Sequence, residues 1–182
     1  MRIEMGTEEL IVAIEEQLFS DDAMNAFVVL DGASVSRLLD KLYDLSPEFL
    51  CLFKGELSPD MAEVAPYLVK IERDSEFTNW LIGHGWGKHW GIYVLADSDL
   101  RALDRHLRGL LLVFDEGGKP LRFRFYDPRV VRTYLPTCTA EELATVFGPV
   151  ATFLVEEEDA SNATRFQLTS DTLKQQRIPI TG

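Results

Sequence analysis

The chain is poor in the residues that build metal and redox sites. It has two cysteines, Cys51 and Cys138, and three histidines, His84, His89 and His106. The cysteines lie far apart, each in an apolar setting (Phe49 to Phe53, and Leu135-Pro136-Thr137 before Cys138), so free buried thiols are expected rather than a disulfide. His84 and His89 are five residues apart, not the four that set two imidazoles on one helical face. A zinc set from the histidines and Cys138 is conceivable in principle, but no spacing supports it and there is no paired Cys motif. No metal and no other cofactor is expected.

Long apolar runs are missing as well. None approaches the roughly 18 residues that would span a bilayer. Leu110 to Phe114, for example, stops at Asp115-Glu116. Acids precede any apolar stretch at the N-terminus, so no secretory signal is read there and a cytoplasmic protein is expected. Positive charge is scarce: 18 Lys and Arg stand against 30 Asp and Glu, for a net charge of −12. Such a chain repels phosphate backbones and anionic membrane surfaces, which argues against nucleic-acid and membrane partners. The imbalance is uneven, with −11 over residues 1–80, +3 over 81–138 and −4 over 139–182. The central basic excess either pairs with the chain's own acids or meets an acidic patch on another protein.

What is present is apolar residues, 46% of the chain, enough for a substantial core. Leu10, Ile14 and Leu18 recur on one helical face after Thr7, a candidate cap. Phe27 to Leu30 reads as a strand closing at Asp31-Gly32. Ser34 or Ser36 would cap a helix carrying Leu38, Leu42 and Leu45. Phe49–Phe53 and Tyr67–Ile71 read as strands, with a loop over Gly55 to Pro59. A helix from about Asp74 runs into the cluster Gly83, Gly85, Gly87, and Trp90 to Ala96 follows as a strand. Asp97 or Ser98 opens a helix with Leu100, Leu103 and Leu107, ended by Gly109. Leu110–Phe114 and Leu121–Tyr126 flank Asp-Glu-Gly-Gly-Lys-Pro, a hairpin signal. Asp127-Pro128 opens a short helix. Thr139 and Glu142 form a capping box before Leu143, Val146 and Phe147. Val150–Val155 and Arg165–Leu168 read as strands around an acidic run, Glu156 to Asp159, expected to be a solvated turn. The expected class is α/β or α+β, a mixed β-sheet with packed helices and a β-hairpin around residues 110–126. One domain over 1–155 is expected, with a short C-terminal extension over 156–182 whose tail from Thr169 is loosely held.

Searches for catalytic patterns return little. Gly83-His84-Gly85-Trp86-Gly87-Lys88 lacks the leading glycine and the Ser or Thr of a phosphate loop. Gly32-Ala33-Ser34-Val35-Ser36 lacks the second glycine of a nucleophile elbow. Asp31 and Asp127 end apolar strands, where catalytic acids can sit, but turn and helix capping account for both. A surface is the remaining candidate. Arg122 and Arg124 share a strand face, with Arg129 and Arg132 close behind, and guanidiniums make forked contacts to carboxylates. Trp80 and Trp90 are assigned to the core. Trp86, between two glycines, is the candidate exposed aromatic.

The ordered set Leu30-Asp31-Gly32-Ala33, Ala65-Pro66-Tyr67-Leu68-Val69, Trp80-Leu81, Gly85-Trp86-Gly87, Trp90-Gly91-Ile92 and Phe123-Arg124-Phe125-Tyr126-Asp127-Pro128-Arg129 resembles the type VI secretion effector adaptor (chaperone) family, long filed as a domain of unknown function. The likeness covers about Phe27 to Phe153. It implies a cytoplasmic, non-catalytic adaptor of a Gram-negative bacterium. Such an adaptor binds a cognate effector toxin and promotes its loading onto a VgrG-type spike protein. Many members carry a further C-terminal lobe, so a chain ending at Gly182 reads as a short member or as one lacking that lobe. Trp86, Arg122, Arg124 and Arg129 are the residues expected to contact the partner. Two other readings stand beside this one: an immunity-type protein that neutralises a toxin, and a small hydrolase or transferase using Asp31 or Asp127.

Overall fold

The computed structural model describes residues 6–180. Seven strands form one sheet in the order β2-β3-β1-β4-β7-β8-β9. They are β1 (Asn25–Asp31), β2 (Phe49–Cys51), β3 (Pro66–Ile71), β4 (Gly91–Ala96), β7 (Val150–Glu156), β8 (Asn162–Thr169) and β9 (Thr172–Pro179). The remaining two, β5 (Leu112–Phe114) and β6 (Pro120–Arg122), make a separate ribbon. Helices packed on a sheet, with the hairpin, are as the sequence pattern implies. The strand directions are uniform: every pairing is antiparallel rather than mixed. The central order explains this. β1 lies between β3 and β4 and runs opposite to both, so β3 and β4, which one helical crossover joins in sequence, run the same way without being neighbours.

Alternation along the strands sends side chains to two separate cores. On β1, Ala26, Val28 and Leu30 enter one core and Phe27 and Val29 the other. The first core is closed by α1 (Thr7–Leu18), α2 (Leu38–Leu45) and α4 (Glu76–Gly85), through residues such as Ile14, Leu42 and Leu81. The second is closed by α5 (Leu100–Leu110), α6 (Pro128–Tyr134) and α7 (Ala140–Phe147), through Leu107, Val131 and Phe147. In that layer Phe147 meets the fully buried Phe153 edge to face, with centroids 5.1 Å apart, a geometry worth ~0.5–1.5 kcal/mol beyond area burial. A short helix α3 (Pro59–Val64), not read from the sequence, begins at the last residue of the expected loop; Ser58 caps it and Pro59 supplies its first turn.

Several boundaries differ from the sequence reading for local reasons. Gly6, not Thr7, precedes α1, and the Glu9 carboxylate accepts from the Gly6 N–H at 3.1 Å. Ser34 and Ser36 do not cap α2. Ser34 turns back to Asp31, and Arg37 enters the helix in the left-handed region at φ 56°. α5 continues through Gly109 to Leu110, because Leu110 is buried in the second core. The strand expected over Leu121–Tyr126 ends at Arg122 and gives way to a turn at Phe125-Tyr126. Residues 156–180, set apart as an extension by the sequence pattern, supply the end of β7 and all of β8 and β9, hydrogen-bonded into the same sheet. The tail is thus held from Thr172 to Pro179, with Ile178 and Ile180 buried; Thr181 and Gly182 lie outside the described residues.

Candidate functional site

The segment between β6 and α6 brings four of the singled-out residues together. Asp31, at the end of β1, is 2% exposed and shares the strand parity of Phe27 and Val29, which enter the second core. It closes its own turn by accepting from the Ala33 N–H at 3.0 Å and the Ser34 hydroxyl at 2.9 Å. Arg124 reaches it from 93 residues away and donates Nη2 to Oδ2. The guanidinium also lies over the Tyr126 ring, 5.9 Å from its centroid. Asp127 caps α6, accepting from the Arg129 N–H at 2.9 Å. The Arg129 side chain returns to the same carboxylate with Nε at 3.0 Å and Nη2 at 2.9 Å.

The electrostatics follow from this geometry. Burial opposes charge on Asp127, yet the Arg129 hydrogen bonds and charge outweigh it and hold the carboxyl below the usual aspartate range. Burial likewise opposes the Arg124 cation, and Asp31 beside it more than compensates, raising its pKa. Neither arginine is consumed by its internal partner. The Arg124 side chain is 46% exposed and that of Arg129 is 56% exposed, and each has N–H donors beyond those it uses. Arg122 is exposed on the ribbon, with its guanidinium 4.7 Å from the Phe53 ring centroid. Arg132 belongs elsewhere: its Nη1 donates to the Glu156 carbonyl and its side chain is 13% exposed.

Two clefts open on this part of the molecule, the first of them lined by Arg129. One, of about 520 Å³, runs along α6 past Asp127, Arg129 and Thr133. The other, of about 310 Å³, lies between the ribbon and α7, lined by Leu112, Val113, Glu141 and Thr145 among others. Phe123 and Tyr134 line both, packed edge to face at 4.7 Å, and form the ridge between them. The ribbon beside the ridge exposes Leu112, Val113, Phe114 and Leu121. Sequence reasoning found the arginines and the hairpin but not the apolar character of the ribbon surface. Its signal was the absence of any polar residue in Leu110 to Phe114.

Trp86 does not belong to this surface. It is 8% exposed, its Nε1 donates to the Ala160 carbonyl at 2.7 Å, and its ring packs 6.1 Å from Tyr93. The flanking glycines serve a different end. Gly87, at φ +83°, and His89 aim their N–H groups at Glu156, each at 2.6 Å, a small backbone nest filled by a carboxylate. Glu156 is thus buried at the end of β7 and not part of a solvated turn. Burial raises its pKa against the pull of the Gly87 and His89 N–H groups.

The remaining candidates stay dispersed. His84 approaches the Trp80 carbonyl at 3.1 Å and His106 the Val146 carbonyl at 2.9 Å. Cys51 and Cys138 are free and half-buried rather than fully buried, and burial raises both thiol pKa values. Among the described residues no group of three or more His, Cys, Asp and Glu side chains converges as a metal site would require, and no helix is long and apolar enough to cross a membrane.

The profile of a domain of unknown function, DUF4123, matches residues 26–145, about two thirds of the chain. The chain belongs to the DUF4123 family. The matched region runs from the second residue of β1 into α7, so it contains the Asp31–Arg124 and Asp127–Arg129 pairs, the ribbon and the lining of both clefts except Val146. Within the matched region, Gly91 is held by architecture: a Cβ there would overlap the Val29 carbonyl on the neighbouring strand, which fixes glycine in Trp90-Gly91-Ile92. No curated protein matches the chain. No solved structure matches it either.

Proposed function

We propose that this protein is a non-catalytic, cytoplasmic adaptor that binds a type VI secretion effector and promotes its loading onto a VgrG-type spike protein. Membership of the DUF4123 family carries the reading. The site supports it through its chemistry. Asp31 and Asp127, the acids a hydrolase would use, are each occupied by an arginine and a backbone N–H. The free donors of Arg122, Arg124 and Arg129 instead face outward beside apolar clefts, where a protein partner supplies carboxylates.

The test is a pull-down from a type VI-competent Gram-negative lysate with this chain as bait, read by mass spectrometry and paired with an export assay in a deletion strain. Co-recovery of a toxin with a VgrG-like protein, and loss of toxin export on deletion, are expected. A toxin recovered without the spike protein, with the chain rescuing cells from its toxicity, would replace the adaptor by an immunity protein. A folded bait that recovers neither protein, with export intact, would remove both readings.

A further inference from the structure

The exposed apolar surface of this molecule is concentrated in one small element. Of the eight large hydrophobic side chains that stand exposed among the described residues, four lie within Leu112 to Leu121. Register places Val113 beside Leu121 on one face of the ribbon, and Leu112 and Phe114 beside Arg122 and Pro120 on the other. Both faces are therefore apolar, and Phe114 is 68% exposed. A ribbon of three-residue strands gains nothing in stability from leaving such side chains in water.

Charge decides what would cover them. The chain carries −12 overall, yet Arg122, Arg124 and Arg129 stand on the ribbon and α6 side of the Phe123–Tyr134 ridge with donors open to solvent. The turn at the far end of the ribbon adds exposed Glu116 and Lys119, and Asp115, whose carboxylate is taken up by the Gly117 and Lys119 N–H groups. Glu141 and Glu142 line the opposite wall, on α7, and Glu142 is engaged by the Thr139 N–H. A second copy of the chain, itself strongly acidic, could satisfy the arginines only with a surface that its own net charge repels from the rest of the molecule. An anionic membrane meets the same repulsion.

We infer that the ribbon and the Phe123–Tyr134 ridge form a docking site for a peptide segment of the partner that carries large apolar residues next to carboxylates. The apolar side chains enter the cleft between the ribbon and α7, and the carboxylates lie toward Arg122, Arg124 and Arg129. This names the chemistry of the partner segment and rests on the adaptor reading only in that the partner is a protein.

The test uses a phage-displayed random 12-residue peptide library panned on the full chain and on two variants. One is L112S/F114S/L121S and the other is R122E, all at exposed positions where the fold is expected to survive, checked by circular dichroism and thermal melting. Peptides pairing Leu, Ile, Phe or Trp with Asp or Glu are expected to enrich on the unaltered chain. The best of them, made synthetically, should bind either variant about tenfold or more weakly by fluorescence anisotropy. No enrichment, enrichment of basic peptides, or binding that survives the ribbon variant overturns the inference. So does a dimer of the unaltered chain that the ribbon variant dissociates, or co-sedimentation with phosphatidylglycerol vesicles. None of these results touches toxin export in the deletion strain, so this inference and the adaptor reading fail separately.

Discussion

Arg129 holds Asp127 in a fork, Nε on one carboxylate oxygen at 3.0 Å and Nη2 on the other at 2.9 Å, while the Arg129 N–H donates to the same group at 2.9 Å. One residue thus binds its neighbour's carboxylate with both its main chain and its side chain. Asp127→Ala removes the cap and the fork together and is expected to destabilise the protein by about 1–2 kcal/mol in urea denaturation. Asp127→Asn keeps a competent cap and should lose less.

The same pair sets an acid limb in the pH profile. The Asp127 carboxyl titrates below its ordinary value of 3.8 in the folded protein. The unfolded chain therefore takes up this proton first, and the contribution is complete above that value and is lost as pH falls through the lower, folded pKa. Stability measured between pH 5 and pH 2 should fall less steeply in Asp127→Asn, by about the charge contribution of one carboxylate.

Glu156 acts with the opposite sign. Its folded pKa lies above the ordinary 4.5, chiefly through burial, so the folded protein takes up this proton first and stability declines as pH rises from 4.5 through the folded value. Glu156→Gln should flatten that decline. Glu156→Ala leaves the backbone donors of the nest, the Gly87 and His89 N–H groups, without their acceptor, and a loss of about 2–4 kcal/mol is expected by denaturant titration.

Trp86→Phe is expected to separate stability from binding. It forfeits the Nε1 hydrogen bond to Ala160 and should cost about 1–2 kcal/mol. Peptide affinity at the ribbon, measured by anisotropy, should not change, because the ring lies in the first core and the ribbon stands over the second.

Gly91→Ala tests the close approach of β4 to β1. The added methyl meets the Val29 carbonyl, and backbone on both sides has nowhere to move inside the sheet. Destabilisation beyond about 3 kcal/mol is expected, visible as loss of soluble folded protein.

Local signals in the sequence located most elements of this fold. Asp115-Glu116-Gly117-Gly118-Lys119-Pro120 marked the hairpin, Asp127-Pro128 the start of α6, and Thr139 with Glu142 the capping box of α7. Where reading failed, long-range packing had overruled local chemistry. Trp86 sits between two glycines, which suggests an exposed loop, but Gly85 ends α4 close against the Trp90 ring, Gly87 turns the chain at positive φ, and the indole between them reaches Tyr93 and Ala160. Glu156 opens an acidic run, yet it shares its strand parity with Leu154, and that parity carried the signal for an inward side chain. Of the site, the arginines were legible and their partners were not. Asp31 and Arg124 are 93 residues apart, and only the fold makes them neighbours.

That separation ties the proposed binding surface to the middle of the sheet. Asp31 ends the strand flanked by β3 and β4, and its N–H is held by the Trp90 carbonyl at 2.9 Å. An occupant that draws Arg124 outward takes the counter-ion from an acid with almost no access to water. Under the proposed docking, an occupant at the rim would therefore act on β1, whose residues Ala26 to Asp31 are all buried, and so on the centre of the sheet rather than its margin.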